Sequence, residues 1–434
     1  MATWIKGGDL VDPDKGILKG HDLILERGKI ARVLPSGVFS GEGEKIRIID
    51  AAGQTLLPGL IDMHVHLREP GFEYKESIST GAKAGVAGGF TAVACMSNTD
   101  PVNDSSSVTQ FILRKAREAG LLRVYPVAAI TKGQGGEFLT DFGDLRAAGA
   151  VGISDDGRPV VRGEVMRRAL EYGLYQGLTV ISHCEDVSLS KGGTMHEGVV
   201  STRIGLSGIP AASEEIMVFR EIALARLTGC PVHIAHVSTA GSVALIRGAK
   251  EEGIPITAET APHYFTLDHH AVEGYDTNTK MNPPLRTLDD VEAIRKGLAE
   301  GVLDVIATDH APHSPLEKEV EFDKAAFGII GLETALPLTL SLVRSGVLSL
   351  VEAVSKLSTL PATILGVEGG RLEEGGIADV TIIDPEEEYV LQKEDIQSKS
   401  ENSPFLGMPM KGRAVVTIVG GKVVWEKKPG DPRR

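Results

Sequence analysis

Polar residues able to bind a metal ion recur in short apolar runs of this chain, and always at the C-terminal end of the run. The run Leu60–Leu67 closes on His64-Val65-His66, and another ends in Asp155-Asp156. A third run carries His183, a fourth His236, and a last one Asp309 with His310 and His313. Neighbours two apart on a strand face the same side, so His64 and His66 point together. Four imidazoles and two carboxylates meeting at one place make a nitrogen/oxygen site suited to zinc or a similar divalent ion. Such an ion lowers the pKa of bound water from about 15.7 to near 7 and polarises a carbonyl, the chemistry of metal-assisted hydrolysis.

That chemistry requires a scaffold that aligns strand ends. Between about residues 56 and 365, short β-branched runs alternate with helical stretches, the pattern of parallel βα units. Eight strands are predicted, at 60–67, 90–98, 123–130, 150–156, 178–186, 231–238, 255–263 and 304–313. Helical periodicity fills most of the gaps, as in SSVTQFILRKAREAG and EEIMVFREIALARLTG. Eight units are the number at which a parallel sheet closes into a (β/α)₈ barrel, whose active sites lie at the C-terminal face. Long connections follow strands 5, 7 and 8, and all three fall on that face. The ends read differently: WIKGGDLVD, DLILERGKIARVL and KIRIIDAAGQTLLPG at the start, IADVTIIDP and RAVVTIVGGKVVWEKK at the finish, all alternate apolar and polar residues between turns. The expected organisation is an α/β protein in which residues 1–55 and 366–434 build one small antiparallel β domain around a catalytic barrel at 56–365.

Composition narrows the partners. The 434 residues are 42% hydrophobic and 24% charged, which supports a large core. Lys and Arg total 45 against 59 Asp and Glu, a net charge of −14. An acidic surface argues against nucleic acid or an anionic membrane as the main partner, and requires that an anionic substrate meet a local cation. Three cysteines, Cys95, Cys184 and Cys230, are too few for a disulfide framework and point to a reducing compartment. The opening residues lack a signal pattern and no apolar run reaches about 18 residues, so the cytoplasm is expected. Strand alternation turns Cys184 away from the mouth. His21, His196, His269 and His270 read as surface or loop residues, and His233 and His263 as structural or as supports behind the metal-binding residues.

Beyond these patterns, PGLIDMHVHLREPG, SHCED, SGIPAASEE, HIAHVSTAGSV, TAETAPHYF, KMNPPLR and IATDHAPH together resemble class I, bacterial-type dihydroorotases of the amidohydrolase superfamily across nearly the whole chain. The resemblance implies a barrel with a β-sandwich built from both chain ends. It implies one or two Zn²⁺ per subunit held by His64, His66, Asp156, His183, His236 and Asp309, with Asp309 as the catalytic acid/base. Its choice of Asp156 over Asp155 goes beyond strand parity, which leaves Asp155 a solvent or loop-capping role. No lysine lies between Lys132 and Lys191, so strand 4 lacks the carbamylated lysine of hydantoinases and allantoinases. Substrate contacts carry over to His66, Arg68, Asn98, Asn282, His313 and the backbone of Phe327-Gly328. Ser97 departs from the proline of many members, which bears on loop stiffness. The implied reaction is reversible hydrolysis of (S)-dihydroorotate to N-carbamoyl-L-aspartate in pyrimidine biosynthesis. The implied associations are a homo-oligomer and aspartate transcarbamoylase. The segment 314–327 is expected to cover the site. Alternatives are another cyclic amidohydrolase, disfavoured by the missing lysine, and a non-catalytic partner of aspartate transcarbamoylase, disfavoured because all six metal positions are filled.

Overall fold

In the computed structural model, which describes residues 2–40 and 46–427, all eight expected barrel strands form. They are β1 (Leu60–Val65), β2 (Phe90–Cys95), β3 (Arg123–Ala128), β4 (Gly152–Ile153), β5 (Thr179–Ser182), β6 (Val232–Ile234), β7 (Ile256–Thr260) and β8 (Val305–Ile306). They pair in parallel in chain order, and the ring closes where His66 N–H donates to His310 O at 2.8 Å beside a Val65–His310 bridge. Several strands stop short of the ranges read from sequence. The apolar run continues, but the polar residues after it bend away from the ladder to face the mouth.

Inside the ring, Met63, Ala94, Met96, Val127, Val151, Ile181, Ala235, Val305 and Ala307 pack into a filled layer. Beneath the mouth, then, lies a packed floor. A second, larger core lies between the strands and the helices around them, among them Ser106–Ala119, Gly163–Gln176, Ala212–Thr228 and Leu288–Ala299. Gly177 and Gly229 end two of these helices in left-handed conformations (φ 65° and 68°), where a side chain would be strained.

Both chain ends contribute to one further sheet. Ala2–Asp12, Gly16–Glu26, Lys29–Pro35, Ile46–Asp50 and Thr55–Pro58 join Val380–Val390, Pro409–Val419 and Lys422–Glu426. The expectation of an all-antiparallel unit needs correcting, because Ala2–Asp12 pairs in parallel with both Ile46–Asp50 and Thr55–Pro58. Those two strands return to the first after the 16–35 hairpin, and so run in its direction. The eight strands are one hydrogen-bonded sheet whose apolar faces share a core of Ile5, Leu10, Leu23, Leu56, Val380 and Ile418. The parts of the sequence reading at 1, 41–45 and 428–434 lie outside the described residues.

Two histidine assignments are also corrected. His196 and His269 are each only 8% exposed, with ring centroids 5.4 Å apart, and Arg286 reaches His196 Nδ1 at 3.3 Å. Both lie within the long connections after β5 and β7, as loop residues, but on their buried side, which local sequence pattern does not report.

Candidate metal centre and substrate mouth

The six residues expected to hold metal come together at the C-terminal rim. Around Asp156, His64 Nε2 and His183 Nδ1 each stand 3.5 Å from Oδ1, His236 Nε2 stands 3.4 Å from it, and His66 Nε2 lies 3.4 Å from Oδ2. Asp309 Oδ1 lies 3.0 Å from His66 Nε2 and 3.6 Å from His64 Nε2. His183 Nδ1 and His236 Nε2 approach to 2.7 Å.

These spacings test the fit of an ion. Ligand atoms about 2.0–2.2 Å from one tetrahedral ion stand roughly 3.3–3.6 Å from each other. Five of the separations fall in that range. His64 Nε2 and Asp156 Oδ1 are moreover buried without any hydrogen-bond partner, an expensive arrangement for polar atoms unless something else occupies the space between them. The donor set fits a divalent cation.

Electrostatics agree with the geometry. Burial disfavours charge on Asp156, yet His64, His183 and His236 hold its carboxyl well below the usual range. Burial likewise opposes charge on His183, but Asp156 and Glu185 raise it to about 10, so that it holds a proton that a bound ion would have to displace. Asp309, buried but hydrogen-bonded by His66 and facing His64, is also held low and ionised. The backbone is strained at this rim: His236 (φ 34°), Asp309 (φ 50°) and Arg68 (φ 62°) are three of the few non-glycine residues in left-handed conformations. Strain of this kind persists where surrounding contacts over-determine a useful geometry.

Carboxylates that sequence reasoning missed orient the histidines. Glu259, on β7, takes His64 Nδ1 at 2.6 Å and His233 Nε2 at 3.2 Å. Asp62, two residues before His64, accepts from the backbone N–H of His64 and of Thr308, tying β1 to β8. Burial pushes Asp62 up to about 6. A lone acid inside an apolar strand, in register with known site residues, was the signal for both. Glu185 takes His183 Nε2 at 2.8 Å. Asp155 is buried rather than solvent-facing, and caps the turn after β3 by accepting from Ile130 N, Thr131 N and the Thr131 hydroxyl. Cys184 is buried and points away from the ion position, with its thiol on Ser182 O at 3.8 Å.

The expected substrate residues flank this cluster. Arg68 Nε donates to Pro312 O at 3.1 Å, and Nη2 lies 3.3 Å from His313 Nε2. Among the described residues, Nη1 has no hydrogen-bond partner. His313 Nε2 donates to Phe327 O at 2.8 Å, leaving Nδ1 to accept from Lys75 Nζ at 3.4 Å. Burial and the neighbouring cations Arg68, Lys75 and Lys318 push the His313 pKa far down, so the ring is neutral. Asn98 Oδ1 accepts from His66 Nδ1 at 2.8 Å, and Asn282 Nδ2 donates to Glu185 Oε2 at 3.1 Å. Gly328 sits at φ 127°, and a Cβ there would meet the Ala311 Cβ at 2.6 Å. Its carbonyl accepts from Asn402 Nδ2, which also donates to Ala311 O. Thus the segment after residue 391 reaches the mouth, which nothing in its sequence announced.

The segment 314–327 is anchored from below. Lys318 Nζ donates to Thr277 O, Lys280 O and Ala326 O, while Lys280 Nζ donates to Phe322 O and Asp323 O.

Comparison with known proteins places this arrangement. The family description "Dihydro-orotase-like" matches residues 53–242, and "Amidohydrolase family" matches residues 196–425. A dihydroorotase of Geobacter sp. (strain M21) is 54% identical over 98% of this chain and all of its own length. That of Syntrophotalea carbinolica is 55% identical over 98% of this chain and 99% of its own. Among solved structures, the L-hydantoinase (dihydropyrimidinase) of Arthrobacter aurescens is similar with a TM-score of 0.87 at 25% identity, covering 98% of this chain and 96% of that one. With its filled barrel, its histidine- and aspartate-lined rim and relatives matched end to end, the chain belongs to the dihydroorotase family of amidohydrolases.

Proposed function

We propose that the chain catalyses the reversible hydrolysis of (S)-dihydroorotate to N-carbamoyl-L-aspartate, with one or two zinc ions held by His64, His66, Asp156, His183, His236 and Asp309. The observation that carries this reading is the convergence of six nitrogen and oxygen donors around buried atoms left without partners. A bound divalent ion supplies Lewis acidity and makes water nucleophilic at neutral pH. Asp309, kept ionised, accepts the proton of the attacking water and returns it to the ring nitrogen as the amide bond breaks. Arg68 supplies the fixed cation for the substrate carboxylate, through paired charge-assisted hydrogen bonds that an acidic protein must provide locally. Neutral His313 holds Phe327 O and the turn at Gly328 in place beside it. Asn98 keeps the His66 proton on Nδ1, so that Nε2 is free to face the ion.

The structural likeness to a hydantoinase favours a second reading, in which a neutral cyclic amide is the substrate. Asp156 in place of a carbamylated lysine, and the cation at Arg68, speak against it. Assays of dihydroorotate, allantoin and dihydrouracil side by side separate the two. Metal analysis of the purified protein, paired with dihydroorotate turnover and repeated on a His64→Ala, His66→Ala variant, tests the main reading. Wild type should carry metal and turn over dihydroorotate, and the variant should do neither. A metal-free, inactive wild type would instead support a non-catalytic subunit. The reading includes a cytoplasmic setting, in line with three free, buried cysteines. It also includes self-association or binding to aspartate transcarbamoylase, which sedimentation alone and with that enzyme would reveal.

A further inference from the structure

Two cluster histidines rest their outward nitrogens on glutamates, but the glutamates differ in what else they hold. Glu259 is closed within the barrel, between His64 and His233. Glu185 instead stands at the border of the mouth, its side chain 14% exposed. One of its oxygens, Oε2, receives both His183 Nε2 at 2.8 Å and Asn282 Nδ2 at 3.1 Å. His183 turns its other nitrogen, Nδ1, toward Asp156 and His236. A neutral imidazole offers a lone pair at one nitrogen only when the proton sits on the other. An acceptor at Nε2 therefore decides which nitrogen faces the ion.

The same oxygen decides how Asn282 presents its amide. Because Nδ2 is the group that can donate to a carboxylate, Oδ1 is the group left over, and among the described residues it accepts no hydrogen bond. Asn282 then offers substrate an acceptor, matched to an N–H of a cyclic amide or ureide rather than to a carbonyl.

We propose that Glu185 is a positioning residue that couples the two halves of the site, fixing the proton of His183 on Nε2 and turning the Asn282 carbonyl toward the N–H of the substrate. The inference rests on the reading that His183 binds the ion and Asn282 the substrate. Outer partners of metal-binding histidines commonly affect metal affinity by about 10–100-fold.

The test compares Glu185→Ala and Glu185→Gln with wild type in three measurements: zinc affinity by chelator competition, the thermal midpoint of the metal-free protein, and kcat and KM for dihydroorotate. Glu185→Ala should bind zinc about 10–100-fold more weakly and raise KM, with the metal-free midpoint unchanged. Glu185→Gln keeps an oxygen that can accept from both donors, so its KM should stay within about twofold of wild type, while its zinc affinity falls less than that of the alanine variant. Wild-type zinc affinity and KM in Glu185→Ala would overturn the proposal. So would a lowered metal-free midpoint with unchanged affinity, which marks a merely structural role. A His183→Ala variant that binds zinc as tightly as wild type would overturn the underlying reading instead, and so tells the two failures apart.

Discussion

The two ends of the barrel treat buried polar groups in opposite ways. At the C-terminal mouth, His64 Nε2 and Asp156 Oδ1 are buried and left without hydrogen bonds, and the chain bends into left-handed conformations at His236 and Asp309. At the opposite end, the charged groups keep hydrogen-bond partners. Arg123, which opens β3, forks onto Asp379 with Nε–Oδ2 at 2.8 Å and Nη2–Oδ1 at 3.2 Å, and Gly420 N–H adds a third bond to the carboxylate. Lys356 Nζ donates to Leu303 O at 2.6 Å. One end of the same strands spends stability on reactivity, while the other fastens the barrel to the end-built sheet. Barrel enzymes as a class divide their two faces this way.

If that division holds, mutations at the mouth should lower activity and spare the fold. The largest effect should come from Asp309→Asn, which removes the proton acceptor at nearly constant volume. Loss of positioned acid/base catalysis costs about 10²–10⁴ in kcat. Circular dichroism of the variant should match wild type. Retention of more than a tenth of wild-type kcat would remove Asp309 from the proton-transfer role.

Arg68→Met should come next. A hydrogen bond to a charged partner contributes about 1.5–3 kcal/mol, so kcat/KM for dihydroorotate should fall roughly 10–150-fold. Dihydrouracil, which lacks the carboxylate, should lose much less. Equal losses for both substrates would mean that Arg68 holds the rim, through Pro312 O, rather than the ligand.

How much of each end could be read beforehand follows from the same contrast. The mouth ligands were legible because their chemistry is local: His64 and His66 share a strand face, and each remaining donor ends its own apolar run. The eight strands were legible for a similar reason, since β-branched runs and helical periods alternate within short windows. What escaped depends on contacts distant in sequence. Glu259 is 195 positions from His64, and Asn402 is 91 from Ala311. The parallel pairing of Ala2–Asp12 with two later strands, and the burial of His196 against His269, are settled by chain paths that no window contains. Asp62 and Glu259 lay within reach of parity arguments, since each is an acid set in an otherwise apolar strand.

At the base the expectation reverses: stability should change and turnover should not. Asp379→Ala takes the carboxylate from the Arg123 guanidinium and the Gly420 N–H, both partly open to water. Exchanging such hydrogen bonds for solvent costs about 0.5–1.5 kcal/mol. The denaturant midpoint should fall accordingly, with kcat and KM for dihydroorotate unchanged. A loss of kcat without loss of stability would show that the base communicates with the mouth.

The last effect expected at the base is a pH dependence. Lys356 is 5% exposed, and burial pushes its ammonium down from 10.5 to about 8, against the pull of Asp304. Between those two values the unfolded chain binds a proton that the folded chain does not. Stability therefore rises with pH across that window, and the charged form is a burden below about pH 8. Lys356→Met removes the titration while keeping most of the side-chain volume. The difference in unfolding free energy, wild type minus variant, should thus climb from pH 8 to pH 10.5 and flatten on either side. A flat difference across the whole range would mean that the Leu303 carbonyl keeps Lys356 fully charged in the fold. The base would then bear a buried cation at no cost, and the contrast with the mouth would lie in unpartnered atoms alone.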